Sequence, residues 1–215
     1  AGYRFAGWAT GAGDASRCLI KTNDMWKYYD QGAAPSNWNA SGFNDNSWAS
    51  GQAQLGYKMA VNTTVSYGSD PDHKNPTTYF RKTVDLSSTP SSNDRFLLKY
   101  KIDDGFVVYV NGTEAKRFNM PNGNISFDTF SSDYAGDTPL EGTLELSPSL
   151  FKSGNNVIAV EVHNNQYASS DLFWAAELYT TVGAASEFVS TEPVMDLSTN
   201  TTTLIASFTK LSDRE

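Results

Sequence analysis

Residues 101–112, which read KIDDGFVVYVNG, constrain the fold more than any other part of this sequence. The Asp-Asp-Gly at 103–105 is typical of a turn, because aspartate bonds to nearby backbone and glycine adopts positive φ without strain. Five β-forming residues follow at 106–110, and the Asn-Gly at 111–112 is a strong hairpin signal. An apolar run this short, bounded by turns, predicts a strand with both faces covered. The paired carboxylates of Asp103 and Asp104 are also consistent with an acidic site.

Short runs of β-forming residues recur along the whole chain, separated by clusters of Pro, Gly, Asn, Asp and Ser. Segments with helical periodicity are almost absent, apart from one helical turn expected at Ser147–Phe151. Many short strands with regular turns predict an all-β fold, an antiparallel β-sandwich or jelly roll. The predicted strands are Arg4–Trp8, Trp26–Tyr29, Thr78–Val84, Phe96–Ile102, Phe106–Val110, Gly123–Thr129, Gly142–Leu146, Asn156–His163, Leu172–Thr181 and Thr203–Phe208.

The length and composition suit one β domain followed by a tail. A chain of 215 residues falls within the range of a single β-sandwich, about 200–250 residues. Its 39% hydrophobic and 13% aromatic residues suffice for a sizeable core. We therefore expect one module over residues 1–183. Residues 184–215 are rich in Ser and Thr and indicate a linker that carries the last predicted strand, as in a module excised from a larger protein with neighbouring modules.

The charge balance argues against two classes of partner. The net charge is −8 and the Lys and Arg residues are scattered, so the basic surface that binds nucleic acid or an anionic membrane is missing. Apolar runs all fall short of the roughly 20 residues needed to span a bilayer. Only 19% of the residues are charged, and a surface of Asn, Ser, Thr and Gly is typical of secreted proteins that handle glycans. We expect an extracellular or cell-surface bacterial protein.

A series of motifs follows in order along the chain: Trp26–Asp30, Trp38, Phe43–Trp48, Leu55–Tyr57, Thr78–Lys82, Asp103–Gly105, Val108–Gly112, Arg117–Pro121 and Gly154–His163. Over roughly residues 26 to 179 this series resembles the galactose-binding-like β-sandwich superfamily. The similarity is greatest to jelly-roll domains of bacterial extracellular multidomain proteins and to sugar-binding domains of β-galactosidase-type enzymes. Residues 1–24 lie outside the resemblance, and Tyr57 is followed by Lys58-Met59 where related sequences often have Gly and an acidic residue.

The resemblance implies a carbohydrate-binding accessory module, and residues suited to sugar binding occur in the predicted loops. Sugars stack on exposed aromatic rings and are held by planar polar side chains. The aromatic candidates are Trp38, Tyr67, Tyr134 and Tyr167, and the polar candidates are Asp70, Arg117, Asn119, His163 and Asn165.

Several of these candidates have an alternative, purely structural explanation. Trp38 also suits packing within its loop. Arg117 and Asn119 share one face of an extended segment, where they either grip a ligand or fix the loop by hydrogen bonds. His163 ends an apolar strand, a position typical of a satisfied structural histidine as well as of a sugar contact.

Calcium is a separate hypothesis, because β-sandwich modules often hold a structural ion through carboxylates and backbone carbonyls. The candidate ligands are Asp103, Asp104 and Asp171. They lack the spacing of an EF-hand loop, so any such site is assembled from separate loops. The turn explains the first two residues equally well.

These observations favour a non-catalytic module that binds a plant or microbial polysaccharide and targets an attached enzyme. The alternative is a structural or protein-interaction domain that binds no glycan. The exposure of the four loop aromatics distinguishes the two. A glycosidase is the third hypothesis and requires two carboxylates that face each other across a cleft. The carboxylates available for it are Glu161, Asp103, Asp104, Asp171 and Glu177.

Overall fold

The computed structural model describes residues 3–10, 16–136, 138–182, 188–190 and 204–210. Its contacts divide the chain into two units, one of which is Cys18–Thr180 and the other Ala1–Arg17 together with Thr181–Glu215. The first residues therefore group with the last ones, and the division at residue 183 stays a prediction. The strands, numbered in chain order, are β1 (Tyr3–Thr10), β2 (Arg17–Ile20), β3 (Met25–Tyr29), β4 (Ala49–Gln52), β5 (Leu55–Tyr57), β6 (Thr63–Thr64), β7 (Thr77–Leu86), β8 (Phe96–Asp103), β9 (Gly105–Val110), β10 (Thr113–Phe118), β11 (Leu140–Leu146), β12 (Gly154–His163), β13 (Leu172–Thr180), β14 (Phe188–Ser190) and β15 (Leu204–Lys210).

The larger unit consists of two sheets. The first sheet has the strand order β10-β9-β12-β7-β3-β4 and is antiparallel throughout. The second sheet has the order β11-β8-β13-β5-β6, and β2 pairs with β13. Its last pair, β5 and β6, is parallel, while the pairs among β11, β8, β13 and β5 are antiparallel. Both orders place strands that are distant in sequence side by side.

Aromatic side chains join the two sheets. Trp174 of β13 has no solvent exposure and meets Trp26 of β3 edge-on, with ring centroids 5.9 Å apart. Its ring also lies 5.3 Å from that of Phe106 on β9. Such edge-to-face contacts add to the stabilisation that burial of aromatic area provides. The two packed sheets confirm the predicted β-sandwich.

Strand β9 confirms the prediction of a strand covered on both faces. It lies between β10 and β12, with Val108 opposite Val160 in the ladder. Val107 and Val108, which point to opposite faces of the sheet, are both 0% exposed. A loop covers part of the outer face, because the ring of Trp38 lies 5.7 Å from that of Tyr109.

Residues 103–105 join strands of different sheets instead of forming a local hairpin. The chain leaves the second sheet with β8 and enters the first sheet with β9. Asp103 and Asp104 are completely buried at this crossover. Their carboxylates therefore belong to the interior of the sandwich, whereas a surface turn would leave them in solvent.

The predicted strand at Gly123–Thr129 is wrong. The segment is a loop whose polar groups bond locally: Thr129 N donates to Ser126 O at 3.0 Å, and Ser126 N donates to the Thr129 hydroxyl at 2.9 Å. Arg117 holds the carbonyl of Gly123 at 3.1 Å. Conversely, β2, β4, β5 and β6 were not predicted. β10 follows the Asn-Gly at 111–112 and pairs antiparallel with β9, which confirms the hairpin signal, although its sequence TEAKRF lacks the apolar alternation that predicts a strand.

The smaller unit contains a three-stranded sheet with the order β14-β1-β15. The predicted strand Arg4–Trp8 lies within β1, and the predicted strand Thr203–Phe208 overlaps β15 in part. β14 lies in the segment predicted as a linker, and most of that segment is outside the described residues.

In the larger unit, the 3₁₀ turn Pro148–Leu150 confirms the expected helical turn. The described part of the chain has no helix long and apolar enough to cross a membrane.

Candidate functional site

A pocket of about 370 Å³ lies among the loops that follow β10 and β12. The ring of Tyr134 is 52% exposed at its rim, more than any other described aromatic side chain. We call this site the Tyr134 pocket, and the polar side chains around it supply amide and hydroxyl groups. Its lining residues are Tyr134, Asn165, Gln166, Ala168, Ser169 and Ser170. An exposed aromatic face beside amides and hydroxyls is the arrangement that sugars require.

The buried carboxylate of Asp104 holds the two loops of this pocket together. One of its oxygens accepts the backbone amide of Ala135 at 2.7 Å, and the other accepts that of Asn165 at 2.9 Å. These amides flank Tyr134 and the 165–170 segment, so one side chain fixes both walls. Burial raises the pKa of Asp104, while the two amide hydrogen bonds act in the opposite direction.

Asn119 reinforces the same connection from the neighbouring loop. Its side-chain amide donates to the carbonyls of Asp104 at 3.1 Å and Asp133 at 2.7 Å, and its side-chain oxygen accepts the Asp133 amide at 3.1 Å. The residue has φ of +53°, which asparagine tolerates better than most residues. All three contacts are internal, so the geometry supports the loop-fixing alternative for Asn119.

Tyr167 lies in the same loop as Asn165 but does not line the pocket. Its ring stacks on that of His73, with centroids 3.7 Å apart and an interplanar angle of 20°. Phe130 meets it edge-on at 4.9 Å, and the Tyr167 carbonyl accepts the Lys74 amide at 3.1 Å. One face of the ring is therefore occupied, and the half-buried side chain anchors the loop.

The other two predicted aromatics are half-buried and packed elsewhere. The ring of Trp38 lies 4.7 Å from that of Tyr79 on the outer face of the first sheet. Tyr67 meets Tyr57 edge-on at 5.3 Å. Asp70, three residues further on, accepts the Asp72 amide at 2.9 Å in a local turn. None of these residues lines the Tyr134 pocket.

Arg117 is engaged by its own loop. Its guanidinium donates to both carboxylate oxygens of Glu114, at 2.7 and 2.8 Å, and to the carbonyls of Pro121 and Gly123. Bidentate pairing of this kind fixes both side chains in one geometry. The contacts again support the loop-fixing alternative over a ligand-gripping pair.

His163 has no solvent exposure. Its Nδ1 lies 2.7 Å from the carbonyl of Thr129 and 3.0 Å from the hydroxyl of Thr77. Because a carbonyl only accepts, we assign the proton to Nδ1, which donates to Thr129. The imidazole thus ties the loop at 127–131 to β7 and β12, as a structural histidine does.

Two of the acidic residues considered for calcium accept hydrogen bonds within the fold. Asp171 is 9% exposed and accepts the hydroxyl of Ser170 at 2.7 Å, while both oxygens of Asp104 accept backbone amides. Within residues 16–136 and 138–182, no group of three or more His, Cys, Asp and Glu side chains is placed to hold a metal ion. The structural calcium stays a prediction.

Two of the carboxylates considered for catalysis, those of Glu161 and Glu177, accept hydrogen bonds from neighbouring hydroxyls. Glu161 of β12 is 5% exposed and accepts the Tyr109 hydroxyl at 2.5 Å. Burial raises the pKa of Tyr109, and Glu161 raises it further. Glu177 of β13, in the other sheet, accepts the hydroxyls of Thr22 and Tyr179. Both side chains have structural partners.

The sequence identified Tyr134 and Asn165 but missed the other polar members of the pocket, Gln166, Ser169 and Ser170. The available signal was the polar run NNQYASSD at 164–171, which follows an apolar strand directly. A long polar segment after a buried strand indicates an exposed loop, where binding residues concentrate.

Searches for related proteins give fold-level similarities only. Neither a family model nor a curated protein sequence matches the chain, so membership of the galactose-binding-like superfamily stays a prediction. Solved structures with a similar arrangement include β-glucuronidase 2 from Bacteroides uniformis, at 16% identity over 77% of this chain and 17% of that chain, TM-score 0.48. A β-glycosidase from Bacteroides vulgatus has 19% identity over 75% of this chain and 20% of that one, TM-score 0.43. A Bifidobacterium dentium β-glucuronidase has 14% identity over 79% of this chain and 30% of that chain, with a TM-score of 0.46.

The chain spans less than a third of the length of each of these enzymes. Similarities at this level do not identify a ligand or an activity for it.

Proposed function

We propose that this chain is a non-catalytic, extracellular carbohydrate-binding module that binds a plant or microbial polysaccharide and targets an attached enzyme. The observation that carries the proposal is the exposed ring of Tyr134 beside a polar pocket. Exposed tyrosines combine a flat apolar face with a hydroxyl, which suits the CH face of a pyranose and its hydroxyl groups.

The pocket has the properties that such binding needs. Its volume of about 370 Å³ lies within the usual range of small-ligand sites, about 300–1,000 Å³. The amide groups of Asn165 and Gln166 line the pocket, and the hydroxyls of Ser169 and Ser170, which donate to Asp171, keep their capacity to accept. Asp104 fixes the walls before the ligand arrives, which lowers the entropy cost of binding.

The exposure of the loop aromatics favours this function over a purely structural domain. Tyr134 is exposed, and Trp38, Tyr67 and Tyr167 are half-buried, so none of the four is buried.

Affinity electrophoresis in gels containing xyloglucan, xylan, mannan or pectin, with a pull-down on cellulose, tests the proposal. We expect retardation in at least one gel and its loss in Y134A. Met25 is 53% exposed and does not line the pocket, so M25A is a matched control that removes a similar apolar area. Unretarded migration of the wild type in every gel, with no binding to cellulose, would contradict the proposal. Equal retardation of Y134A and M25A would exclude the Tyr134 pocket.

A further inference from the structure

A second recess, separate from the Tyr134 pocket, lies on the outer face of the second sheet. It consists of two depressions of about 390 and 480 Å³. Lys101 and Glu141 line both of them, so the depressions adjoin. We call them together the sheet-face groove. No residue of the groove lines the Tyr134 pocket.

A small residue forms the floor of the groove. Ala175 of β13 lies opposite Lys101 in the ladder and shares its face of the sheet, whereas Gly142 and Ala176 lie opposite Tyr100 and belong to the other face. Ala175 lines the first depression, and its methyl group is too short to fill it. The sheet therefore has a trough where β11, β8 and β13 run side by side.

Charged side chains form the walls in an alternating arrangement. Lys99 of β8 lies opposite Thr143 of β11 and Glu177 of β13 in the ladder. Lys101 lies opposite Glu141 of β11 and forms an ion pair with it. Glu177 already accepts the hydroxyls of Thr22 and Tyr179, so the exposed Lys101–Glu141 pair is the cationic donor and carboxylate acceptor that the trough offers to a ligand.

The same balance continues into the second depression. Lys58 and Lys101 line it together with Glu141 and Asp171, and Gln54 and Thr138 add uncharged polar groups. Each depression therefore has two lysines and two carboxylates, and neither has a net charge. A polyanion would meet the carboxylates and a polycation the lysines, so the groove favours neither.

We propose that the sheet-face groove is a second binding site, which takes an internal stretch of a neutral polysaccharide chain. A sugar hydroxyl both donates and accepts, so a lysine and a carboxylate side by side satisfy one hydroxyl together. Hydrogen bonds to charged groups are also stronger than those between neutral groups. The two depressions adjoin at Lys101 and Glu141, so an internal stretch of a chain can contact both of them.

This inference rests on the proposed function for the ligand class but uses different residues. With two sites, the module would bind one polymer twice, and the second contact would be intramolecular. A long chain would therefore bind more tightly than a short oligosaccharide of the same sugars. The groove would consequently add affinity for a polymer beyond the affinity that the Tyr134 pocket alone provides.

The double variant K101A/E141A tests the groove, because it removes an exposed ion pair and leaves the net charge unchanged. The variant R95A/E145A is a matched control: it removes another exposed pair between β11 and the start of β8, and neither residue lines the groove. Both are measured in the full 215-residue chain by titration calorimetry with xyloglucan, xylan, mannan and pectin.

We expect K101A/E141A to bind the neutral polymer about tenfold more weakly, the loss of roughly one hydrogen bond to a charged group. R95A/E145A should bind as the wild type does. In Y134A, addition of the polymer should still shift the NMR amide signals of Gly142 and Ala175. A groove that binds pectin in preference to the neutral chains would overturn the proposed ligand class.

The outcomes separate the two sites. If Y134A abolishes binding and K101A/E141A has no effect, the groove is excluded and the Tyr134 pocket stands. If only K101A/E141A weakens binding, the groove stands and the Tyr134 pocket is excluded. Equal weakening by K101A/E141A and R95A/E145A points to a general effect of surface charge and excludes the groove. A wild-type chain that binds none of the four polymers excludes both sites.

Discussion

The backbone amide of Asn165 donates at 2.9 Å to the carboxylate of Asp104, a side chain with no solvent exposure. The other oxygen of the same carboxylate accepts the amide of Ala135. The loop that presents Tyr134 and the loop that presents Asn165 are thus joined through one buried acid. The position of that acid follows from the crossover at residues 103–105, where the chain passes from the second sheet to the first. The sandwich topology and the pocket are therefore linked through a single residue.

This link predicts a pH dependence of stability. Burial raises the pKa of Asp104 above its ordinary value of 3.8, so the folded chain holds this proton more tightly than the unfolded chain. Its contribution to stability is complete below pH 3.8 and is lost as the pH rises through the folded-state pKa. D104N does not titrate there. The free energy of unfolding of D104N relative to the wild type should therefore rise with pH above 3.8, as measured by urea denaturation across that range.

Glu145 provides a control with the opposite sign. Arg95 lowers the pKa of Glu145 through a hydrogen bond, so its contribution is present above the ordinary value of 4.5 and is lost as the pH falls. E145Q should lose stability relative to the wild type at neutral pH and regain it on acidification. A D104N profile that runs parallel to that of E145Q would contradict the role of burial at Asp104.

Arg81 is the subject of a second prediction. Its guanidinium is 3% exposed, pairs with Asp45 at 2.8 Å and donates to the carbonyls of Trp38, Ala40 and Phe43. R81A should leave these acceptors without their donor and release the loop from the first sheet. Removal of one partner of a buried ion pair typically costs about 3–5 kcal/mol. We expect a loss of that order in urea denaturation.

Two variants define what Arg81 contributes. R81K keeps a charge but cannot reach four acceptors in a plane, so it should recover only part of the loss. R95A breaks the exposed Arg95–Glu145 pair and should shift the unfolding curve far less than R81A does, because an exposed ion pair contributes little stability. Equal curves for R81A and R95A would show that the loop is held by its aromatic contacts alone.

The sequence predicted the sandwich well where burial alone decides the structure. The apolar runs of β9 and β12 are central strands because both of their faces are covered, and an apolar run shows this directly. The segment Gly123–Thr129 was mistaken for a strand because its residues bond to one another locally, which depends on three-dimensional contacts. The edge strand β4 was missed for the complementary reason: its pairing is set by the neighbouring strand β3, not by apolar residues of its own.

The site was predicted less completely, because residue type does not reveal whether a polar side chain is already satisfied. Arg117 and Asn119 are of the types that bind sugars, yet their hydrogen bonds are used within the loops. Tyr134 and Asn165 have the same kinds of neighbours in sequence but line a pocket. The residues of the groove around Lys101 were not predicted, because they come from separate strands that only the sheet order brings together.

Asn111, in the stretch at 101–112, is the subject of the last prediction. The residue has φ of +53° in the turn after β9, and its side-chain amide donates to the Leu150 carbonyl at 3.0 Å and to Asn156 at 2.9 Å. Its side-chain oxygen accepts the Val157 amide at 3.0 Å. The turn signal thus also ties β9 to the start of β12. N111A should lose these bonds and adopt a strained φ, at a cost of about 2–4 kcal/mol.

The variant N111G separates the two contributions to this cost. Glycine adopts the positive φ without strain but makes none of the side-chain bonds, so N111G should lose less stability than N111A. Both are compared with the wild type by urea denaturation. If N111G matches the wild type, the side-chain bonds of Asn111 contribute nothing and the residue serves only its turn. If N111G matches N111A, the backbone conformation costs nothing and the hydrogen bonds to the Leu150–Val157 region account for the whole effect.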